Sequence, residues 1–459
     1  MRTWQLLASS AAFNRRLSLS ISFLMFTVFC CFPFALSAQG MADNDTTKVL
    51  SLEDCIHYAL KNQPALKQSL IDESIAHTNN LIGLSAWMPQ VVATAGYNRY
   101  FQLPEAFSGN TEFPSGTFYS ATPSITASQT LFSSDVLFAA RAAHLFTQYA
   151  QQNTVYTKIS LVSNVTKAFY DLLLTIEQIN VLKEDTARLG KNERDTYHQY
   201  KSGIVDKVDN KQAKIALNNS VAQLKNATET VGAKYSTLKQ YIGFPDNQEF
   251  TVEFDTTEML QEVYFDTAEM LDYSKRIEYQ QLLLAKRLQR ETTSYYQLSF
   301  LPSLSAFYNY TPEYESDTYS TLFNQVYPYS LFGLTLNLPI FQGFKRLENI
   351  HKAKLEEQRT DWDIVNTKLG INAEYIHALA AYKSNFVNLQ EQGENVQLAK
   401  EVYDIVKLQY KEGVKTYLNV IIAESDLRTS QINYLDALFQ LLSSKIDLQK
   451  ALGDININP

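Results

Sequence analysis

Proline is missing from three long stretches of this 459-residue chain: none stands between Pro123 and Pro245, between Pro245 and Pro302, or between Pro339 and Pro459. Stretches without proline suit long helices, because proline removes a backbone donor and clashes with the preceding turn. Cysteine is nearly absent. Cys30 and Cys31 lie in an apolar N-terminal run, so Cys55 is the only other one and no disulfide can form within the rest of the chain. Cys55 sits among Leu52, Ile56 and Leu60, which marks it as a small buried hydrophobe. An excess of basic residues is missing too. The formal net charge is −8, and the first 38 residues hold three arginines and no acid, so the remainder carries 37 bases against 48 acids, or −11. A nucleic-acid partner is thereby excluded as an expectation, since phosphate binding needs basic patches.

Catalytic motifs are also wanting. The six histidines, at 57, 77, 144, 198, 351 and 377, are scattered and form no metal-spaced pair. No G-x-S-x-G elbow, phosphate loop or dinucleotide fingerprint is present. The acids are spread along helix-like runs, as on solvated faces. The chain is therefore not expected to be an enzyme or to carry a cofactor or metal.

What is present begins with an export signal. Arg2, Arg15 and Arg16 precede an apolar run from Leu17 to Leu36, and Ala35-Leu36-Ser37-Ala38 supplies small residues for cleavage. Residues 1–38 read as a signal peptide. No other segment reaches 18 consecutive apolar residues, so any membrane insertion after export rests on strands.

The rest is duplicated. Met88-Pro89 reappears as Leu301-Pro302, Leu131-Phe132 as Ile340-Phe341, Tyr200-Lys201-Ser202-Gly203-Ile204 as Tyr410-Lys411-Glu412-Gly413-Val414, and Ile242-Gly243 as Leu452-Gly453. The offsets are 213, 209, 210 and 210 residues. Two repeats are expected, residues 39–258 and 259–459, and pseudo-symmetric units of this size close around an axis.

Each repeat combines long helices with two strands. Val155, Ile159, Val162, Phe169, Leu173 and Ile176 recur at helical spacing, as do Ile364, Ile371, Tyr375, Ala378 and Tyr382. Breakers predict helices over Asp135–Lys201 and Phe344–Lys411, each ~100 Å long at ~1.5 Å per residue. Return helices follow over Val205–Ile242 and Val414–Leu452, and leading helical runs precede the strands at Ser51–Ala86 and about Leu260–Leu298. A leading and a returning helix together match one long helix, so the two are expected to stack end to end beside it.

Strands are predicted at about 89–101, 118–132, 302–314 and 329–341. In the last, Phe332, Leu334, Leu336, Leu338 and Ile340 point one way and Gly333, Thr335 and Asn337 the other. Apolar-out, polar-in alternation over ~9–11 residues is the pattern of an outer-membrane barrel strand. Tyr97, Tyr100, Phe101, Phe118, Tyr308, Tyr310, Tyr327 and Tyr329 crowd the ends, as in an interfacial girdle. Four strands cannot close a barrel, and open edges cannot face lipid, so other copies must complete the sheet; three would supply twelve strands.

With these features in order, the chain resembles the TolC family of bacterial outer-membrane efflux and secretion channels. The likeness rests on Leu50-Ser-Leu-Glu-Asp-Cys-Ile-His-Tyr-Ala-Leu-Lys-Asn-Gln-Pro64, on Met88-Pro89 and Leu301-Pro302 entering the strands, on Leu338-Pro-Ile-Phe-Gln-Gly343 leaving them, and on the paired Tyr-Lys-x-Gly turns. It covers about Leu50 to Gly453. It implies a mixed α/β membrane protein: a homotrimer with a twelve-stranded barrel in the lipid of the Gram-negative outer membrane, four strands per chain, continuous with a periplasmic α-helical tunnel. It also implies a periplasmic adaptor and an inner-membrane pump of RND, ABC or MFS type, in a tripartite efflux or type I secretion system. The contrasting expectation is a periplasmic or surface helical scaffold that transports nothing.

The resemblance places functional residues at the turns. Lys201, Ser202, Gly203, Ile204, Lys411, Glu412, Gly413 and Val414 would form the periplasmic tips that contact the adaptor. A gate would join Asp209, six residues after Gly203, to Tyr410, three before Gly413, and Lys415, two after it. A carboxylate accepts hydrogen bonds from both a phenol and an ammonium, and exposed pairs of this kind open readily. Positions six and nine after Gly413, where family members can carry an acidic entrance ring, hold Asn419 and Ile422, which argues against such a ring from this helix. Asp206 and Asp209 are the alternative source of negative charge.

Overall fold

The structure, a computed structural model, describes residues 48–459 except 110, 253–258, 260–262, 268, 458 and 459. The expected signal over 1–38 lies outside the described residues. The elements in chain order are β1 (Lys48–Leu50), α1 (Leu52–Asn62), α2 (Pro64–Ser85), β2 (Gln90–Arg99), β3 (Glu105–Ser108), β4 (Thr111–Pro114), β5 (Tyr119–Phe132), α3 (Ser134–Lys201), α4 (Lys207–Ile242), β6 (Phe250–Val252), α5 (Ile277–Leu298), β7 (Ser303–Ser316), β8 (Tyr327–Asn337), α6 (Lys345–Lys411) and α7 (Tyr417–Leu452).

The long helices α3 and α6 run 68 and 67 residues. The start of α3 and the stops of both follow from capping chemistry. Ser133 accepts from the Val136 amide at the N-cap of α3, and Asp135 lies in its first turn, where a carboxylate complements the positive end of the helix. Gly203 and Gly413, at φ +75° and +76°, end the two helices in the left-handed conformation that suits glycine. One 18-residue window of α3 reaches a mean hydropathy of 1.2, yet 61% of it is buried inside the chain, as in a core helix.

The repeats differ from expectation where local chemistry intervenes. The leading run over Ser51–Ala86 is broken at Gln63, because Pro64 occupies the first position of α2. The expected start of the second leading run, about Leu260, lies outside the described residues. A 3₁₀ turn spans Tyr273–Lys275, and α5 starts at Ile277.

The end-to-end stacking is visible in both repeats. Gly243 caps α4 so close to the start of α2 that an added Cβ would lie 3.0 Å from the Gln63 Cα. Gly453 caps α7 against the start of α5, where a Cβ would lie 2.9 Å from the Lys275 carbonyl oxygen. Gln63 Nε2 donates to the Gln240 carbonyl at 3.1 Å. In the second repeat Arg276, 3% exposed, donates to the Ala451 carbonyl at 3.0 Å and binds Glu278 and Glu374. The main core gathers at these junctions, from Leu161–Leu174 of α3, Leu238 and Ile242 of α4, and Leu438–Leu452 of α7. Cys55 belongs to it; burial pushes its thiol up to about 12.

The strands form one antiparallel sheet in the order β2-β5-β7-β8. β8 stops at Asn337 rather than reaching 341. Its last partner is Ser303, the first residue of β7, and Pro339 has no amide to extend the ladder. Four further strand pieces have no clear signal: β3 and β4 form a separate hairpin, and β1 pairs in parallel with β6. Runs of three or four residues are too short to show alternation.

Candidate functional site: sheet faces and helical tips

The two faces of the sheet differ in chemistry. On one, Thr94 meets Ser124 at 2.7 Å, Asn98 donates to Ser120 at 3.4 Å, and Asn309 donates to Thr126 at 2.8 Å, all across paired strands. On the other, Ile125 stands opposite Tyr310, Tyr308 opposite Phe332, Ala306 opposite Leu334 and Leu304 opposite Leu336. Phe332, Leu334 and Leu336 are each more than 60% exposed. A sheet that leaves such a face uncovered needs an apolar neighbour. Its edges, β2 and β8, have no partner strand within the described residues.

At the far ends of the long helices the two turns are near copies. The Gly203 amide donates to the Tyr200 carbonyl at 3.0 Å and that of Ile204 to Gln199 at 2.9 Å. Their counterparts, Gly413 to Tyr410 and Val414 to Gln409, measure 3.0 and 2.8 Å. This pairing satisfies the last carbonyls and turns the chain sharply. It thrusts out Ile204 and Val414, 73% and 70% exposed, flanked by exposed Lys201, Ser202, Lys411 and Glu412.

The three gate candidates are only partly brought together. Tyr410 Oη donates to Gln199 Oε1 at 3.3 Å, not to Asp209. Burial raises the Tyr410 phenol above its ordinary pKa, and the negative charge of Asp209 adds to the rise. Asp209 therefore lies near the phenol without bonding to it. Lys415 is exposed, and neither it nor Asp209 has an ion-pair partner among the described residues. Two neighbouring polar residues are occupied by local structure. Asp206 caps α4 by accepting from the Val208 amide, and Asn419 Oδ1 accepts from the Thr416 amide and hydroxyl at 3.3 and 2.9 Å.

A group that sequence reasoning missed lies further from the turns, where α3 meets α7. Asp185, fully buried, accepts from Arg188 at 3.1 Å, from Arg428 at 2.9 Å and from Ser220 at 2.9 Å. Glu424, 1% exposed, accepts from Arg188 Nε at 3.0 Å and from Asn192 at 3.3 Å. Two carboxylates and two guanidiniums thus balance inside the wall, with their remaining valences largely met. Burial holds the Glu424 carboxyl above its ordinary range, with Arg188 opposing and Asp185 reinforcing the rise. The available signal was charge on an apolar stripe: Asp185 sits in step with Leu182 and Leu189, and Glu424 with Val420 and Leu427. Below this cluster a groove of about 430 Å³ is lined by Arg188, Asp195, Lys407, Tyr410 and Tyr417 among others. Among the described residues no group of three or more His, Cys, Asp or Glu could hold a metal ion.

Comparison with known proteins agrees with this geometry. The family model for outer membrane efflux proteins matches residues 55–244 and 280–454. The outer membrane protein TolC of Vibrio cholerae is 22% identical over 426 residues, spanning 88% of this chain and 91% of the relative. The probable efflux pump outer membrane protein TtgC of Pseudomonas putida is 22% identical over 406 residues, spanning 88% and 83%. Among solved structures, CusC aligns with a TM-score of 0.74 at 17% identity, over 87% of this chain and 91% of that one. The Campylobacter jejuni CmeC outer membrane channel aligns at 0.70 and 21%, over 89% and 87%. At these identities the structural likeness carries the fold.

Proposed function

The chain belongs to the outer membrane efflux protein family, and from that premise we propose that three copies close into a passive exit duct, a twelve-stranded barrel continuous with a periplasmic helical tunnel. As a member it is an outer-membrane channel with its helices in the periplasm. The observation that carries the trimer is the open sheet. Its apolar face suits lipid, but the bare edges of β2 and β8 do not, because unpaired backbone groups have no partner in hydrocarbon. Pairing β8 of one copy with β2 of the next removes every edge, and the hydroxyl and amide face then lines the lumen.

The duct performs no chemistry; energy comes from an inner-membrane pump, of RND, ABC or MFS type, coupled through a periplasmic adaptor. Named relatives include an efflux pump outer membrane protein, which supports the efflux setting; a type I secretion setting is the other use of such a duct. The adaptor engages the tips around Lys201–Ile204 and Lys411–Val414, where the two exposed apolar residues offer contact. The gate comprises Asp209, Tyr410 and Lys415. Among the described residues neither Asp209 nor Lys415 has an ion-pair partner, so the pair forms between copies. Removing both charges in Asp209→Ala plus Lys415→Ala raises the resting conductance of the channel in planar bilayers; unchanged conductance would sink the gate assignment.

A further inference from the structure

Neither the ring of copies nor the gate accounts for the groove beneath the buried charge cluster. It holds about 430 Å³ between α3, α6 and α7. Four cations line it, Arg188 and Lys191 from α3 and Lys407 and Lys411 from α6, against one lining carboxylate, Asp195. Two further acids stand close by: Glu424 is engaged by Arg188, and Asp209 lies near Tyr410. Positive charge thus collects at one place in a chain that carries −11 beyond residue 38.

These cations have few partners within the chain. Among the described residues Lys191, Lys407 and Lys411 make no ion pair, although Lys191 and Asp195 stand one turn apart on α3. Lys407 and Lys411 are likewise one turn apart on α6, a spacing at which like charges repel. Arg188 spends Nε on Glu424 and Nη2 on Asp185, which leaves Nη1 without an acceptor among the described residues. The head groups from the two helices converge: Arg188 lies 6.0 Å and Lys407 5.1 Å from the centroid of the same Tyr403 ring. Tyr417 adds an unmet donor. It is 3% exposed and lines the groove, yet no hydrogen bond of good geometry satisfies its phenol. The Thr196 hydroxyl beside it gives its own proton to the Asn192 carbonyl at 2.6 Å. A buried hydroxyl left so calls for an acceptor from outside the chain.

We propose that this groove is a binding site for a small multivalent oxyanion, a molecule bearing phosphate or carboxylate groups that bridge the cations of α3 and α6 and accept from Tyr417. The donors set the chemistry. Guanidinium and ammonium groups make their strongest hydrogen bonds to phosphate and carboxylate oxygens. Two pairs of cations on neighbouring helices need more than one negative charge to balance them. Bound there, the anion ties α3 of the first repeat to α6 of the second. The site is built within one chain, so it stands whether or not copies close into a ring.

The test is isothermal titration calorimetry of the full-length, detergent-extracted protein at about 0.15 M salt, with pyrophosphate and, separately, citrate as the probes. Saturable binding is expected, together with a rise in melting temperature that shrinks as salt is added. Tighter binding of pyrophosphate assigns a phosphate ligand, and tighter binding of citrate a carboxylate. Lys191→Gln plus Lys407→Gln is expected to weaken the tighter probe by about tenfold or more. Tyr417→Phe is expected to weaken it severalfold. Lys225→Gln, which alters an exposed lysine of α4 paired with Glu229, is expected to leave binding unchanged. No saturable binding of either probe overturns the site. So does a double variant that binds as tightly as the unaltered protein, or a Lys225→Gln variant that loses as much as the double one, since that loss reflects overall charge. Unchanged binding by Tyr417→Phe overturns the phenol as a ligand. Should the double variant melt early without anion, Lys191→Gln alone carries the same expectation.

Discussion

At the scale of single residues, the charge cluster is the part of the site least legible in the sequence. Acids spread along a helix read as solvated surface, and only the packing of α3 on α7 shows that Asp185 and Glu424 are inside. The tip residues were easier, because a glycine after a helix-length run signals a left-handed cap wherever it occurs. The family resemblance paired Asp209 with Tyr410, and it could not show that Gln199 takes the phenol's hydrogen bond within the chain. Glu424 offers a test of its own. Its carboxyl binds a proton more tightly in the fold than in the unfolded chain, where the ordinary value is 4.5. The stability it contributes is therefore full below that value and is lost as pH rises through the higher folded value. Glu424→Gln removes this dependence. Its melting temperature relative to the unaltered protein is expected to climb as pH is raised from about 4 to about 7; a flat difference would mean that the carboxyl titrates normally.

At the scale of elements, the ends of α3, α4, α6 and α7 fall within about three residues of where breakers and caps put them. Their signals are local: Ser133, Gly203, Gly243, Gly413 and Gly453 act through bonds a few residues away. The errors also have local causes that a hydrophobic pattern does not carry. Pro64 divides the first leading run, Asp272 and the 3₁₀ turn delay α5 to Ile277, and the register with Ser303 ends β8 at Asn337. The helix junctions make a graded prediction. Gly203→Ala meets open space and costs only the left-handed backbone penalty of ~1–2 kcal/mol. Gly243→Ala, at φ +70°, carries that penalty and also drives its Cβ against Asn62 and Gln63. Thermal unfolding followed by circular dichroism should show the larger loss for Gly243→Ala. Equal losses would mean that α4 and α2 are not tightly abutted.

At the scale of the whole molecule, the repeat offsets and the four strand segments already implied a pseudo-symmetric wall that must be completed by other copies. Sequence alone could not give the strand order β2-β5-β7-β8, which puts the repeat junction in the middle of the sheet and leaves one strand of each repeat at an edge. Nor could it give the register by which α3 holds α7, since that depends on side chains more than 230 residues apart, such as Arg188 and Glu424. The central claim is that copies close this open wall into a membrane duct shut at rest. The most direct measurement is planar-bilayer conductance of the detergent-extracted protein with its oligomeric mass determined on the same sample. A trimer giving discrete, long-lived, small conductance steps is the predicted result. A water-soluble monomer or dimer that conducts nothing would contradict the duct and return the helical scaffold to first place.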